Sequence, residues 1–579
     1  MADMIELRED PKRQEILNSK NHLLIMGGPG SGKTTVALFK AKQIVESGVL
    51  KDGQKVLFLS FARATISRVE EQAGNLISPH AKSQIEINTY HGFIWNIIRY
   101  HGYLLTNQPI KLLPPHETSK YLLGIEKDEA KSRLNNLFYE KGLIHFDLFA
   151  QLCTQLLTQS CAIKNIVSKM YPTIILDEFQ DTNPDEWELI KLFGAKCCLI
   201  ALADPNQRIY DFRGADPRRI TQLIEAFSPD IFDFGEENNR SSGTDIAQFG
   251  NDLLYKSTPG KQYQNVSIKK YNFLKKPITH LHLKIAVLQT IERLKKSQIP
   301  DWSIAILVPT NALMLEVSDF FQKKQLLANN RIYPPINHEV SIETAGLSLT
   351  ALFIACLLDK GSVQQCTLEE VLKTMIDHVL GRRGNNPVPK KDLEFVAAIE
   401  KYFSTKKVRG KNREALINEC NSLSTAVNQA LFSGNIIEDW KLILELIAQC
   451  HSDYLLCIAN DAKYVRLLQR GTQLHSSLDS IWRKFHTYQG AISAVSDALT
   501  QEHFAMSTKK WNGINVMTIH KAKGKEFDEV IIYEGLFHNR IVSRPDRIDQ
   551  ARLNLRVAVT RAKRHTLILT PAEDPCPLL

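Results

Sequence analysis

Gly27-Gly28-Pro29-Gly30-Ser31-Gly32-Lys33-Thr34 is the first stretch of this chain whose residue types and spacing could do chemistry. The glycines let successive backbone N–H groups converge on one point. A helix opening at Lys33 adds the positive end of its dipole, and together these make a phosphate site. Lys33 can reach β- and γ-phosphate oxygens as a point charge, and the Thr34 hydroxyl can ligate Mg²⁺. Thr35 is grouped with the same nucleotide-binding set. Further on, Ile174-Ile175-Leu176-Asp177-Glu178 is an apolar run ending in two carboxylates. Beside a phosphate loop, Asp177 suits Mg²⁺, and Glu178 suits orienting and deprotonating an attacking water.

These groups need rigid elements behind them. Short apolar runs at 22–26, 56–60, 173–176 and 197–202 read as buried strands, each followed by a turn or a helical stretch. A second set follows at 303–308, 515–519, 530–533 and 566–569. Strands alternating with helices imply a parallel sheet covered by helices. The expected fold class is therefore α/β, with two parallel-sheet cores, each carrying a helical insertion. The expected boundaries are 1–92 with 170–230 for the first core and 93–169 for its insertion. For the second core they are 231–344 with 509–579, and 345–508 for its insertion. Arg382 to Arg413 holds ten Lys/Arg against three Asp/Glu, with glycines and prolines breaking its helices. It reads as an exposed loop in part.

At Asp177-Glu178-Phe179-Gln180-Asp181 the pattern becomes specific, and it resembles the second motif of UvrD/Rep-like superfamily 1 helicases. Other segments are similar to that family's motifs in the same order. They are Ser60-Phe61-Ala62-Arg63-Ala64, Thr89-Tyr90-His91-Gly92 and the run from Asp204-Pro205-Asn206-Gln207 to Arg213-Gly214-Ala215. Glu237-Asn238-Asn239-Arg240-Ser241, Thr518-Ile519-His520-Lys521-Ala522-Lys523-Gly524-Lys525-Glu526-Phe527 and Val557-Ala558-Val559-Thr560-Arg561-Ala562 complete the series. The resemblance implies two RecA-like phosphate-loop domains, with ATP and Mg²⁺ as cofactors between them. It implies that Gln207 senses the γ-phosphate and that Arg240 and Arg561 act on it as arginine fingers. Glu526 would hold the ribose, and Gln14 would flank the adenine, although Arg13 occupies the ungapped position. It places Phe61, Tyr90 or His91, Phe212 and His520 on single-stranded DNA.

Three positions depart from the family pattern. Asn239 replaces the tyrosine that stacks on adenine, which leaves the choice of ATP over GTP open. Phe212 replaces a tryptophan, and Arg556 replaces the aromatic residue that usually precedes the last motif. By the same resemblance the chain is a 3′-to-5′ DNA helicase or translocase acting in repair, replication restart or phage defence. Its partners would be single strands and duplex/single-strand junctions. The alternative is an ATP-gated DNA sensor that regulates a partner nuclease and unwinds little. The chain ends 18 residues after Arg561, so no nuclease domain is expected there. That compactness is similar to the helicases of Gabija-type defence systems, which work with a separate nuclease.

Bulk properties agree with this reading. The 579 residues carry a net charge of +9, which permits a nucleic-acid partner without requiring one. The ten cysteines include no Cys-x-x-Cys pair and read as reduced core residues. The N-terminus has no secretory signal pattern, and no apolar run is long enough to span a bilayer. A cytoplasmic location and no membrane partner are expected. An ABC- or AAA-type ATPase would share only the phosphate loop and the acids.

Overall fold

A computed structural model describes the whole chain except residues 1–9, 62–65, 67–68, 71–77, 114–116, 119–120, 123–124, 126, 208–215, 236, 259, 274–278, 327–331, 341–344, 361–364, 383–387, 470–472 and 505–510. The chain forms two compact units. One comprises Met1–His101, Phe149–Ser341 and Met506–Leu579, and the other Gly102–Leu148 and Ile342–Ala505.

The first unit holds two six-stranded sheets, both parallel throughout. In the first sheet, β1 (Leu23–Met26), β2 (Val56–Ser60), β3 (Ile85–Thr89), β4 (Thr173–Leu176), β5 (Cys198–Ala203) and β6 (Asp230–Asp233) lie in the order β3-β2-β4-β5-β1-β6. In the second, β7 (Val266–Tyr271), β8 (Ser303–Val308), β9 (Glu339–Val340), β10 (Gly513–Thr518), β11 (Phe527–Tyr533) and β12 (Ala562–Pro571) lie in the order β9-β10-β8-β11-β12-β7. Central strands such as β1, β2, β4 and β8 are buried on both faces, so they read as continuous apolar runs rather than alternating ones. Each sheet has its own core, one around Ile25, Phe58, Ile175 and Ile200, the other around Leu307, Met517, Val530 and Ile568. The two α/β cores expected from the sequence are present.

Four strands, all at sheet edges, were not visible as apolar runs: β3, β6, β7 and the two-residue β9. β3, at an edge, has the mixed sequence IEINT, while the edge strands β6 and β7 are largely half-buried or exposed. An edge strand needs only one apolar face, and often less, so its signal is weak. The first core also extends three residues beyond the expected limit of 230, because β6 pairs with β1 as far as Asp233. The first inserted segment of the second unit begins at Gly102 rather than 93 and ends at Leu148 rather than 169. The reason is packing: Phe93, Ile94 and Ile97 on the helix Tyr90–His101, and Leu152, Cys153 and Leu156 on the helix Phe149–Gln159, are buried within the first unit.

The second unit is mainly helical. The stretch expected to be without strands carries a small parallel pair, Lys111–Leu112 with Leu143–Ile144. The helix Ala345–Leu358 is apolar on nearly all sides, with Ala351, Phe353, Ile354 and Leu357 fully buried, as a helix surrounded by others must be. Arg382 caps the helix Leu368–Gly381 and pairs with Asp392 at 3.1 Å, so it is not part of an exposed basic loop. Lys390 and Lys391, in contrast, are exposed at the start of the helix Lys390–Thr405. Arg383 lies outside the described residues. Among the described residues, no helix is long and apolar enough to cross a membrane.

Candidate nucleotide and nucleic-acid site

The parallel registers bring the carboxyl ends of β1, β2, β4 and β5 side by side, and the candidate residues follow these ends. After β1 comes the phosphate loop and then the helix Lys33–Glu46. Gly30 and Gly32 adopt φ of 81° and 89°, which side chains rarely tolerate. A Cβ on Gly30 would lie 2.4 Å from Asn238 Oδ1 and 2.7 Å from Arg240 Cβ, so the 238–240 segment packs directly on the loop. Backbone bonds tie them further: Gly28 N donates to Gly235 O at 3.2 Å, and Asn239 N to Gly30 O at 2.8 Å. The Lys33 ammonium donates to the carbonyls of Gly27 at 2.7 Å and Gly28 at 3.0 Å. Burial lowers its pKa, while Asp204, Glu178 and Asp177 oppose that shift. Ser31 is buried and donates to Gly28 O at 3.0 Å, which braces the turn. Pro29 is half-buried in the same loop, and Thr34 and Thr35 are half-buried in the first turn of the helix.

Asp177 and Glu178 follow β4. The buried Ser60 hydroxyl, at the end of β2, donates to Asp177 Oδ2 at 2.9 Å. This fixes a carboxylate near the helix that begins with Lys33 and Thr34. One carboxylate and one hydroxyl are hard oxygen donors of the kind Mg²⁺ takes alongside substrate phosphates, so the residues fit that ion. Glu178 has φ of 53°, a left-handed conformation that costs a non-glycine residue about 1 kcal/mol or more and persists where surroundings enforce it. Gln180 Nε2 donates to Glu178 Oε2 at 2.6 Å, and Gln180 Oε1 accepts the Asp204 N–H at 3.1 Å. Burial alone would raise the Glu178 pKa. Lys523, the Gln180 hydrogen bond, Lys33 and Arg561 outweigh it and hold the pKa below the ordinary glutamate value.

The second core supplies cations to this centre. Lys523 is buried, forms an ion pair with Asp181, and lies 3.6 Å from Glu178. Arg561 is fully buried at the end of the helix Ile548–Val559, where its Nε donates to Val557 O at 3.0 Å. Arg240 pairs with Glu526 at 2.8 Å and donates to Thr560 O at 3.0 Å. Glu526, expected at a ribose, therefore holds the Arg240 guanidinium here. A carboxylate in that place keeps a buried cation compensated. Gln207 ends the short turn Pro205–Gln207 after β5. Arg13 pairs with Glu237 at 3.0 Å and lies over the Phe234 ring at 5.5 Å.

The aromatic candidates divide. Phe61 stacks on Tyr90 with centroids 4.2 Å apart and planes 16° from parallel. Tyr90 is only 3% exposed, so it supports Phe61 and cannot itself offer a free face. His91 is half-buried and packs near Phe149, with ring centroids 5.8 Å apart. His520 lines a cleft of 490 Å³ on the second core, with Thr310, His538, Arg540, Arg547, Gln550 and Asn554 among the other lining residues. Burial lowers its pKa, so it is neutral near pH 7. Phe212, with the rest of 208–215, lies outside the described residues.

Family models match almost the entire length of the chain. The UvrD/REP helicase N-terminal domain matches residues 9–140 and 125–228, and the UvrD-like helicase C-terminal domain matches residues 273–573. This chain belongs to the UvrD/Rep helicase family. Its relatives are distant. DNA helicase II of Haemophilus influenzae is 21% identical over 44% of this chain and 41% of its own length. The ATP-dependent DNA helicase Rep of Buchnera aphidicola is 23% identical over 76% of this chain and 69% of its own length. The ATP-dependent DNA helicase PcrA of Staphylococcus aureus is 20% identical over 95% of this chain and 81% of its own length.

Within this UvrD/Rep-type chain, the geometry gives roles to residues that sequence reasoning passed over. Ser60, Gln180, Asp181 and Lys523 all lie in family motifs, but their partners are remote: Asp181 and Lys523 are 342 positions apart. The apolar pocket between β4 and the helix Pro184–Gly194 is lined by Tyr90, Phe93 and Leu189 and is core packing, not a ligand site.

Proposed function

We propose that the chain couples ATP hydrolysis to 3′-to-5′ movement on single-stranded DNA and so unwinds duplexes that carry a 3′ tail. One observation carries the reading: side chains from both α/β cores converge on one charged centre, where Lys523 and Arg561 face Glu178. A site divided in this way completes itself only when the cores close, which makes hydrolysis and core movement one event.

In this reading the loop amides and Lys33 hold the β- and γ-phosphates, and Asp177 with Thr34 holds Mg²⁺, which neutralises phosphate charge. Glu178, kept ionised, takes the proton of the attacking water. Gln207 reads the γ-phosphate. Arg561 and Arg240 stabilise the charge that builds in transfer, and Arg240 leaves Glu526 to do so. Phe61, set on Tyr90, and the basic cleft at His520 supply a stacking face and a phosphate-binding wall for a single strand. Repair or replication restart is the work implied by likeness to proteins named DNA helicase II, Rep and PcrA. The test is single-strand-stimulated ATP turnover, with Glu178→Gln as control. Turnover that single-stranded DNA does not raise would remove the motor reading.

A further inference from the structure

Arg556 lies on the helix Ile548–Val559 of the second core. It is 2% exposed, yet its guanidinium reaches the first core. Nη1 donates to the carbonyl of Asn206 at 3.2 Å and lies 3.7 Å from Asp204 Oδ2. Nη2 donates to Asn251 Oδ1 at 3.3 Å and lies 3.9 Å from where a Cβ on Gly28 would stand. Asp204 also acts electrostatically on Lys33, so opposite charges alternate from Lys33 through Asp204 to Arg556. The buried Nε of Arg556 has no hydrogen-bond partner among the described residues. Burying a guanidinium is a poor device for stability alone, because desolvation offsets much of what its pairs return.

We propose that Arg556 is a positioning residue for ATP turnover. It ties the Asp204–Asn206 turn of the first core to the helix Ile548–Val559, which Arg561 follows, so that Arg561 meets the γ-phosphate in register with the phosphate loop. The inference rests on the motor reading above.

The test uses the full chain with saturating single-stranded DNA and measures KM and kcat for ATP, with thermal melting as a folding check. Arg556→Gln is expected to lower kcat roughly tenfold while KM stays within about threefold. Arg556→Lys should restore part of the loss, and Asn251→Ala, which removes only the Nη2 anchor, should lower kcat in the same direction by less. A folded Arg556→Gln with unchanged kcat overturns the proposal, as does a loss confined to KM, which would make Arg556 a ground-state phosphate ligand. If Arg556→Gln does not fold, wild-type kcat in both other variants overturns it. A wild-type chain without ATP turnover fails the motor reading itself and takes this proposal with it.

Discussion

In the proposed mechanism Glu178 is the side chain on which the chemistry turns. Its pKa is held below the ordinary glutamate value, so it is ionised at neutral pH and ready to accept a proton. A depressed carboxylate contributes stability above its unfolded pKa and loses that contribution as pH falls through the lowered folded value. The acid limb of kcat should therefore lie below the ordinary glutamate range. Lys523→Met should move that limb upward, since it removes a cation 3.6 Å from the carboxylate; a pH–rate profile with an unmoved limb would contradict this. The same change takes away the cation paired with buried Asp181 and should destabilise the fold by about 3–5 kcal/mol, measurable by denaturant unfolding. Glu178→Gln should abolish steady-state ATPase and leave ATP binding intact; weakened affinity with normal turnover per bound ATP would contradict the role as base. Arg561→Ala should slow turnover by ~10³ or more, and a drop of only a few-fold would leave Arg240 carrying the charge. The phosphate loop and the Asp177-Glu178 pair were legible in the sequence because each is a contiguous signature. Lys523 facing Asp181, Ser60 bracing Asp177 and Arg556 reaching Asn206 were not, because only folding brings them together.

Whole elements decide which candidates are available. β3 delivers Tyr90 beneath Phe61, and the Tyr90 hydroxyl is buried without a hydrogen-bond partner among the described residues. Tyr90→Phe should therefore be neutral or mildly stabilising in thermal melts, because an unsatisfied buried hydroxyl returns nothing. Phe61→Ala should weaken single-strand binding by ~1–3 kcal/mol in a fluorescence titration, the value of one base stack; unchanged affinity would make Phe61 a packing residue. Spacing alone could not separate these two rings, since both follow strand ends in similar motifs. The basic segment was likewise only half legible. Composition marked Arg382 to Arg413 as charged, but burial draws Arg382 into a pair with Asp392 and leaves Lys390 and Lys391 outside. Those two lysines sit at the positive end of a helix dipole, an unfavourable place that a polyanion would relieve. Lys390→Gln with Lys391→Gln should weaken binding to a 3′-tailed duplex and flatten its salt slope by up to ~0.9 for each phosphate no longer neutralised, with little change on single strands. Equal weakening on both substrates would mean a nonspecific charge effect.

The molecule as a whole follows from two parallel sheets, with the glycine-rich loop and the carboxylates at the strand ends of one core and compensating cations on the other. Buried central strands made both cores readable in advance; the edge strands and the limits of the inserted segments depended on packing that no local pattern records. The central claim is that closure of these cores over ATP moves the chain along DNA. Strand displacement tests it most directly, using a duplex with a 3′ single-stranded tail, its 5′-tailed counterpart and ATP with Mg²⁺. The wild-type chain should displace the 3′-tailed duplex, and Glu178→Gln should displace neither. DNA-stimulated ATP turnover without displacement of either duplex would contradict the claim and leave a nucleotide-gated DNA sensor in its place.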